Sequence, residues 1–524
     1  MSKTPITVVW FKRDLRVADH APLTIAAARG HVLPLYIAEP DVWAHGDLDA
    51  MHWEFVATAL GDLRAELAAL GQPLIVRRGL ALEVLASLHE SVGFDALYAH
   101  EETGNGVTFA RDLAVAQWAR ESDVDYQEWP TNGVVRRLRS RDGWARRWSK
   151  RMQSTALDAP EEIRSSCDID IGAIPTAKEL GVDQLHPAVD SRAQSQLATV
   201  DDAQATLASF LEGRGERYAT SLSAPVSASR ACSRLSPYLA WGLLSLRQVV
   251  QTVEHSDLAA RSRRAFMSRL HWRCHFVQKL ESEPEIEVRS FNSAYESLRG
   301  EPRIERLMAW QQGCTGFPFV DACIRSLQHT GWINFRMRAM LVSFAAYDLW
   351  LDWRVFRDFL GRQFIDYEPG IHYSQLQMQS GTTGINTPRM YNPIKQGYDH
   401  DPEGRFVRRW VPELRSLPTI FVHEPWRLSP IERTSINFEL GVNYPHPIVD
   451  HTSAIREARQ KIAEVRKRPD HRAHAAEVFD RHGSRRKISD RTTTRKYRDR
   501  RLSGADAERF DAPDKSQNQL NLFD

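Results

Sequence analysis

The sequence predicts a doubly wound α/β domain followed by a domain that is almost wholly helical. Two observations carry this. Across residues 1–130, short β-prone apolar runs (Thr7–Phe11, His31–Ile37, Leu74–Val76, Ala96–Tyr98, Val124–Trp129) alternate with helical stretches such as Asp49–Leu70, Leu82–His89 and Thr108–Arg120. Strand, helix, strand repeated in this way reads as a parallel sheet covered on both faces. From Asp202 to about Lys467 the pattern turns helical and dense in Trp, Tyr and Arg, which defines a second domain over 206–465. Residues 131–205 read as a connector, in which the basic run Val134–Arg151 gives way to Ala, Ser, Asp and Pro. Residues 466–524 have few apolar side chains; between Arg485 and Arg501 there are nine Arg or Lys against two Asp, a net of +7. That composition predicts a disordered basic tail.

Composition narrows the function. The 524 residues carry 69 Lys+Arg against 67 Asp+Glu, a net of +2, which excludes nucleic-acid binding through bulk charge and leaves a local basic surface open. Five scattered cysteines (Cys167, Cys232, Cys274, Cys314, Cys323) form no Cys-x-x-Cys pair and none lies beyond Cys323, so neither a disulfide scaffold nor a zinc or iron–sulfur site built on C-terminal cysteines is expected. The N-terminus runs straight into the apolar Ile6–Phe11 with no basic leader, and no apolar run approaches the roughly 20 residues that span a bilayer. A cytoplasmic monomer is the expectation. Sheets of this type bind ligands at the carboxyl ends of their strands, yet no Gly-x-Gly-x-x-Gly follows Phe11 or any later strand.

Three segments carry chemistry. In Ala231-Cys-Ser-Arg-Leu-Ser-Pro-Tyr-Leu, hydroxyls and an Arg precede Pro237, which opens a helical pattern. Such a helix entrance suits a phosphate or pyrophosphate, although Ser236 capping a helix with Pro237 at its first position explains the same residues. In Thr315-Gly-Phe-Pro-Phe-Val-Asp and Gly331-Trp-Ile-Asn-Phe-Arg-Met-Arg, Arg336 and Arg338 lie among apolar residues. Buried arginine needs a partner or an anionic ligand, and Phe364-Ile-Asp-Tyr-Glu offers Asp366 and Glu368; Arg338–Asp366 is the economical pair. The third group, Tyr391-Asn-Pro, Arg409-Trp-Val-Pro-Glu-Leu and Tyr444-Pro-His-Pro, has no single physical meaning.

Taken together and in order, with Val9-Trp-Phe-Lys-Arg-Asp-Leu-Arg at the opening strand and Asp352-Trp-Arg further on, these motifs resemble the cryptochrome/photolyase flavoproteins over nearly all of residues 6–465. The resemblance implies a Rossmann-like α/β N-terminal antenna domain and an all-α C-terminal domain that binds FAD. By motif position, Tyr218, Cys232, Ser233, Arg234, Leu235 and Ser236 would contact FAD, and Arg338 and Asp366, with Glu368 close by, would flank its ring system. It implies light-driven, FAD-dependent repair of pyrimidine dimers in DNA, with a blue-light photoreceptor of cryptochrome type as the alternative. Trp272 occupies the lesion-stacking position, amid Arg261, Arg263, Arg264, Arg269 and Arg273; Arg336 and Met378 are further candidates for the DNA side. The loop His100-Glu-Glu-Thr-Gly-Asn-Gly would line the site of an antenna chromophore of folate or deazaflavin type, or serve as a plain capping turn. The terminal Gln519-Leu-Asn-Leu-Phe523 resembles the peptide by which bacterial repair proteins dock on the sliding clamp.

Departures from the family pattern cluster at the pocket. Arg269 stands where dimer photolyases carry a Glu, Phe335 where they have Asn, and Ala339 where they have Met. Asn334-Phe335 removes the paired His that (6-4) repair needs. His372 falls opposite flavin N5, or is a packed, neutral His bonded to backbone; Leu376 and Met378 replace two Trp. The electron-supplying Trp chain therefore keeps only its middle member, Trp353, with Gly300 at the outer position; Trp350, Trp332, Tyr367 and Tyr373 are the unranked substitutes.

Overall fold

In a computed structural model that describes residues 5–165, 169–182 and 196–485, the N-terminal runs form one parallel five-stranded sheet. Its strands are β1 (Ile6–Phe11), β2 (His31–Ala38), β3 (Ile75–Arg78), β4 (Ala96–His100) and β5 (Asp125–Trp129), in the order β3-β2-β1-β4-β5. β1 is central: Ile6 lies opposite His31 of β2, and Thr7 opposite Ala96 of β4. Because side chains alternate along a strand, Val9 and Phe11 enter one core while Val8 and Trp10 enter another, and β1 is buried throughout, with Thr7 its one polar residue, because both faces are covered. The Val8–Trp10 face packs on residues of helices Ala81–Val92 and Gly106–Glu121. The Val9–Phe11 face packs on helix Ala50–Ala69 and is continuous with Leu235, Tyr238 and Trp241 of the helical region, so a single core joins the two parts of the chain.

The charged run after β1 is the tie between them. Arg13 stacks on Trp241 (4.2 Å) and donates to the Tyr367 carbonyl, and Arg16 donates to the Gly242 carbonyl (2.9 Å), while Lys12 pairs within the α/β part with Asp112 (3.2 Å). Gly242 has φ +77°, and a Cβ there would lie 2.2 Å from the Arg13 carbonyl oxygen, so only glycine permits this approach. In the connector, helix Trp144–Met152 buries Trp144, Trp148 and Met152, four residues apart, and Trp144 Nε1 donates to Gln278 (3.0 Å).

Two helices position the site. Ala260–Ser282 and Pro369–Ser380 cross at Gly370, where a Cβ would stand 2.6 Å from Val277 Cα. Pro369 holds Glu368 in an extended conformation (φ −134°, ψ 109°), so residues just before it form a loop and not a helical turn. The helical part also runs further than the composition suggests. Helix Pro469–His482 buries His471, Val478 and His482, so a disordered tail starting at 466 is wrong for the residues up to 485. The remainder of the basic run and the clamp-like peptide lie outside the described residues. None of the described helices is long and apolar enough to cross a membrane.

Candidate functional site

A cavity of about 1230 Å³ opens between the start of the helical part, helix Ala260–Ser282 and the loop before Pro369. Its lining is mainly apolar with a few convergent polar and charged groups, the character of a ligand site. One stripe of the long helix forms a wall: Phe266, Arg269, Leu270, Trp272, Arg273 and Phe276 recur at helical spacing. Opposite them stand Trp332, Ile333, Asn334 and Arg338, with Asp366 and Glu368 from the extended loop. Of the residues expected to contact the cofactor, Tyr218, Cys232, Ser233, Leu235, Ser236, Arg338, Asp366 and Glu368 line this space.

The internal ion pair forms with two parallel bonds, Arg338 Nη1 to Asp366 Oδ1 at 3.0 Å and Nη2 to Oδ2 at 2.9 Å, while Nε reaches back to the Ile333 carbonyl (2.8 Å). Burial acts to raise the Asp366 carboxyl, but the Arg338 charge and hydrogen bonds, with Ser236 and Arg234, hold it below the usual carboxylate range. Ser236 thus serves Asp366. The helix that begins at Ser236 has only five residues, and no side chain caps it, which corrects the expectation of Ser236 as its cap. Arg234 is also placed differently from the sequence reading. It has φ 62°, and its guanidinium lies over the Trp332 ring at 4.0 Å, backing the cavity wall rather than lining it. Burial pushes it down to about 10 despite Asp366.

Trp272 and Arg269 share the cavity with the ion pair, and Arg269 bonds to the Tyr218 hydroxyl. Arg273 faces the same space, but its guanidinium is held by Glu368 and by the Leu239 carbonyl (2.8 Å), which corrects its reading as a cation for DNA phosphates. Arg336 does not line the cavity; two residues from Arg338 on one helix, it sits near Tyr391, Asp399 and Arg389. Met378 does not line it either, and Trp353 is fully buried in the helical core.

His372 borders an adjoining lobe of about 570 Å³ behind the ion pair, together with Leu376 and Tyr367. Its Nε2 donates to the Arg357 carbonyl (2.9 Å), and burial lowers its pKa to about 4, so the ring is neutral near pH 7. This is the backbone-bonded arrangement, with the ring outside the main cavity. A further cavity of about 580 Å³ lies at the carboxyl ends of β1 and β2, lined by Glu102, Gly104 and Asn105 of the expected antenna loop. Nearby, Asp14, His20 and His100 bring candidate metal-ligand atoms within 4.8 Å of one another. Asp14 Oδ2 accepts from both rings (2.9 and 2.7 Å), so hydrogen bonds already satisfy the group.

The lining tests well against FAD. Three arginines (Arg269, Arg273, Arg338) outnumber two carboxylates (Asp366, Glu368), which suits a diphosphate, and aromatic walls suit a flat ring system. Two buried polar atoms facing the space, Asn334 Oδ1 and Gln375 Nε2, have no partner among the described residues, as expected where a polar ligand belongs. The sequence did not single out Gln375, nor Trp332 and Asn334 as wall residues; only the spacing of Ile371 and Gln375 on one helix face signals their shared orientation.

Such a sheet-plus-helices architecture, with a cofactor cavity inside the helices, defines a two-part flavoprotein. Residues 7–154 match the DNA photolyase family profile, and residues 266–464 match the profile of the FAD binding domain of DNA photolyase. The chain is 30% identical over 484 residues to a cryptochrome DASH of Gloeobacter violaceus, covering 85% of this chain and 93% of that one. It is 30% identical over 491 residues to a deoxyribodipyrimidine photo-lyase of Streptomyces griseus, covering 88% and 99%. A crystal structure of a class III photolyase from Agrobacterium tumefaciens superposes with TM-score 0.78 at 26% identity, over 89% of this chain and 99% of that one. The chain belongs to the cryptochrome/photolyase family, and its cofactor is FAD.

Proposed function

We propose that this protein is a light-driven repair lyase that splits pyrimidine dimers in DNA. The observation that supports this most directly is Trp272 and Arg269 lining the same cavity as the Arg338–Asp366 pair, so a base entering past Trp272 would arrive beside the cofactor. When bound and reduced, FAD supplies a light-excited electron to the dimer. The chain's own residues do the rest. Cys232, Ser233, Leu235 and Ser236 would hold the phosphate end, with Arg234 contributing charge from behind the wall. The Arg338–Asp366 pair would flank the ring, and Glu368 would keep Arg273 in place.

Extruding a dimer costs a few kcal/mol, less than for an intact pair because a lesion stacks poorly. Trp272 offsets this cost by stacking, at about 1–3 kcal/mol per base. Arg269, a donor where relatives place an acceptor, would bond carbonyl or phosphate oxygens of the lesion. His372, neutral and bonded to backbone, is not a proton source near pH 7. Trp272→Ala is expected to weaken binding of dimer-containing DNA by roughly tenfold to a hundredfold, the loss of one stacking partner, measured against undamaged DNA of the same sequence.

A second reading, a photoreceptor without repair, draws on Arg273 being occupied by Glu368 and on Leu376 standing in the lobe beside His372. Illuminating the reduced protein with dimer-containing single- and double-stranded DNA and counting restored bases separates the two: turnover establishes repair, and a light-induced spectral change without turnover establishes sensing. In the repair reading, the terminal peptide tethers the enzyme to the sliding clamp and raises its concentration at DNA. Clamp binding is then expected to vanish when Leu522 and Phe523 become Ala, as measured by co-elution with purified clamp.

A further inference from the structure

With Leu376 in place of a tryptophan, the family's Trp chain is broken, and the structure separates the aromatic residues that could replace it. Every tryptophan among the candidates carries a cation on its face. Arg234 lies over Trp332 at 4.0 Å, Arg354 over Trp353 at 4.8 Å, and both Arg299 (4.9 Å) and Lys461 (4.6 Å) over Trp350. A positive charge against the ring disfavours loss of an electron from it. Trp353 is further handicapped because its buried Nε1 has no partner among the described residues to take a proton.

The tyrosines have the opposite environment. Tyr367 Oη donates to Asp47 Oδ2 at 2.5 Å, and Tyr373 Oη lies 3.2 Å from both that oxygen and Tyr367 Oη. The other oxygen of Asp47 accepts from His45 Nδ1 (2.8 Å), whose ring reaches solvent. Asn105 also donates to Asp47, and these bonds keep the buried carboxylate ionised and fixed in place. Tyr367 borders both the lobe behind Arg338–Asp366 and the cavity at the strand ends, so it connects the cofactor region to the junction of the two parts of the chain.

We infer that Tyr367 and Tyr373, sharing Asp47 as proton acceptor, form the one-electron donor that reduces light-excited oxidised FAD, replacing the missing tryptophan chain. This rests on the reading that FAD occupies the cavity beside Arg338–Asp366. Tyr367 loses one electron to the excited cofactor, and its phenolic proton passes to Asp47 Oδ2, leaving a neutral phenoxyl radical and a protonated carboxyl. Tyr373 can then give an electron and a proton to Tyr367, moving the radical one ring further. An external thiolate returns an electron, Asp47 returns the proton, and a thiyl radical leaves.

The test uses the full chain loaded with oxidised FAD, illuminated with blue light and freeze-trapped, with dithiothreitol as donor in parallel steady-state runs. The expected result is an electron paramagnetic resonance signal that narrows when the protein is made with ring-deuterated tyrosine, and that is lost, together with photoreduction, in Tyr367→Phe/Tyr373→Phe. The labelled natural sequence needs no substitution, so a misfolded variant does not void the experiment. A signal that narrows with indole-deuterated tryptophan instead, photoreduction undiminished in the double variant, or no photoreduction at all overturns the proposal. Dimer repair by the unsubstituted protein reduced chemically with dithionite tests the repair reading separately. Repair without a tyrosyl signal sinks only the relay, and a tyrosyl signal without repair sinks only the repair assignment.

Discussion

Replacing Asp366 with Ala is expected to destabilise the folded protein by about 3–5 kcal/mol and to abolish retention of FAD on gel filtration. The cause is electrostatic. The Asp366 side chain is 5% exposed and accepts two parallel bonds from Arg338, while Arg234, itself depressed to about 10 by burial, adds a second positive charge close by. Removing the carboxylate leaves two guanidinium groups facing each other across a poorly solvated wall. Paired replacement, Arg338→Met with Asp366→Leu, removes both charges and is expected to recover most of the stability, because well-packed apolar side chains can replace a buried ion pair at little cost. FAD retention should not recover. Urea unfolding midpoints, read beside bound-flavin absorbance, separate the structural role of the pair from its role toward the cofactor.

Lys279→Met is expected to do the reverse and stabilise the protein by about 4 kcal/mol at pH 7. Lys279 is 4% exposed, with its ammonium over the rings of Phe276 (5.3 Å) and Phe291 (5.5 Å). The groups around it are cationic or neutral: Arg141, stacked on Trp144, then His275 and His482, the last bonded to Glu283. Burial first and the Arg141 charge second push Lys279 down to about 7 from the ordinary 10.5. Above about pH 10.4 the folded and unfolded chains both carry a neutral amine, and the residue costs nothing. As the pH falls from there to 7, the unfolded chain takes up a proton that the folded one does not. Stability therefore drops by up to about 1.4 kcal/mol per unit, and the slope ends once the folded form is protonated as well. The difference in urea midpoint between Lys279→Met and the natural sequence, followed from pH 6 to pH 10, should stay nearly level up to about pH 7 and then shrink steadily toward pH 10. A constant difference would mean that Lys279 is charged throughout and has an acceptor.

Several features of the site are legible in local sequence because local physics fixes them. Pro369 forces Glu368 into an extended conformation, which turns Asp366, Tyr367 and Glu368 into a cavity-lining loop. Arg338 among apolar neighbours must find a carboxylate, and Asp366 is the economical partner. Helical spacing from Phe266 to Phe276 puts one stripe of side chains on one wall. Other placements went against the sequence pattern. Ser236 looks like a cap and instead serves Asp366; Arg273 looks like a free cation and is tied to Glu368; residues 469–482 look like a tail and form a packed helix. Each of these depends on a partner from a distant segment, which no local window contains.

The sequence alone therefore determined the layers: a central strand apolar on both faces, helices with one buried stripe, and a buried charge that has to be paired. These follow from periodicity and from the cost of leaving polar groups dry. The tertiary structure alone decided which charges meet. Asp47 and Tyr367 are 320 positions apart, and Arg13 finds Trp241 and Tyr367 only because Gly242 lets the backbones touch. The physical reason is that a hydrogen bond acts over about 3 Å, and which groups come that close is set by how whole surfaces pack.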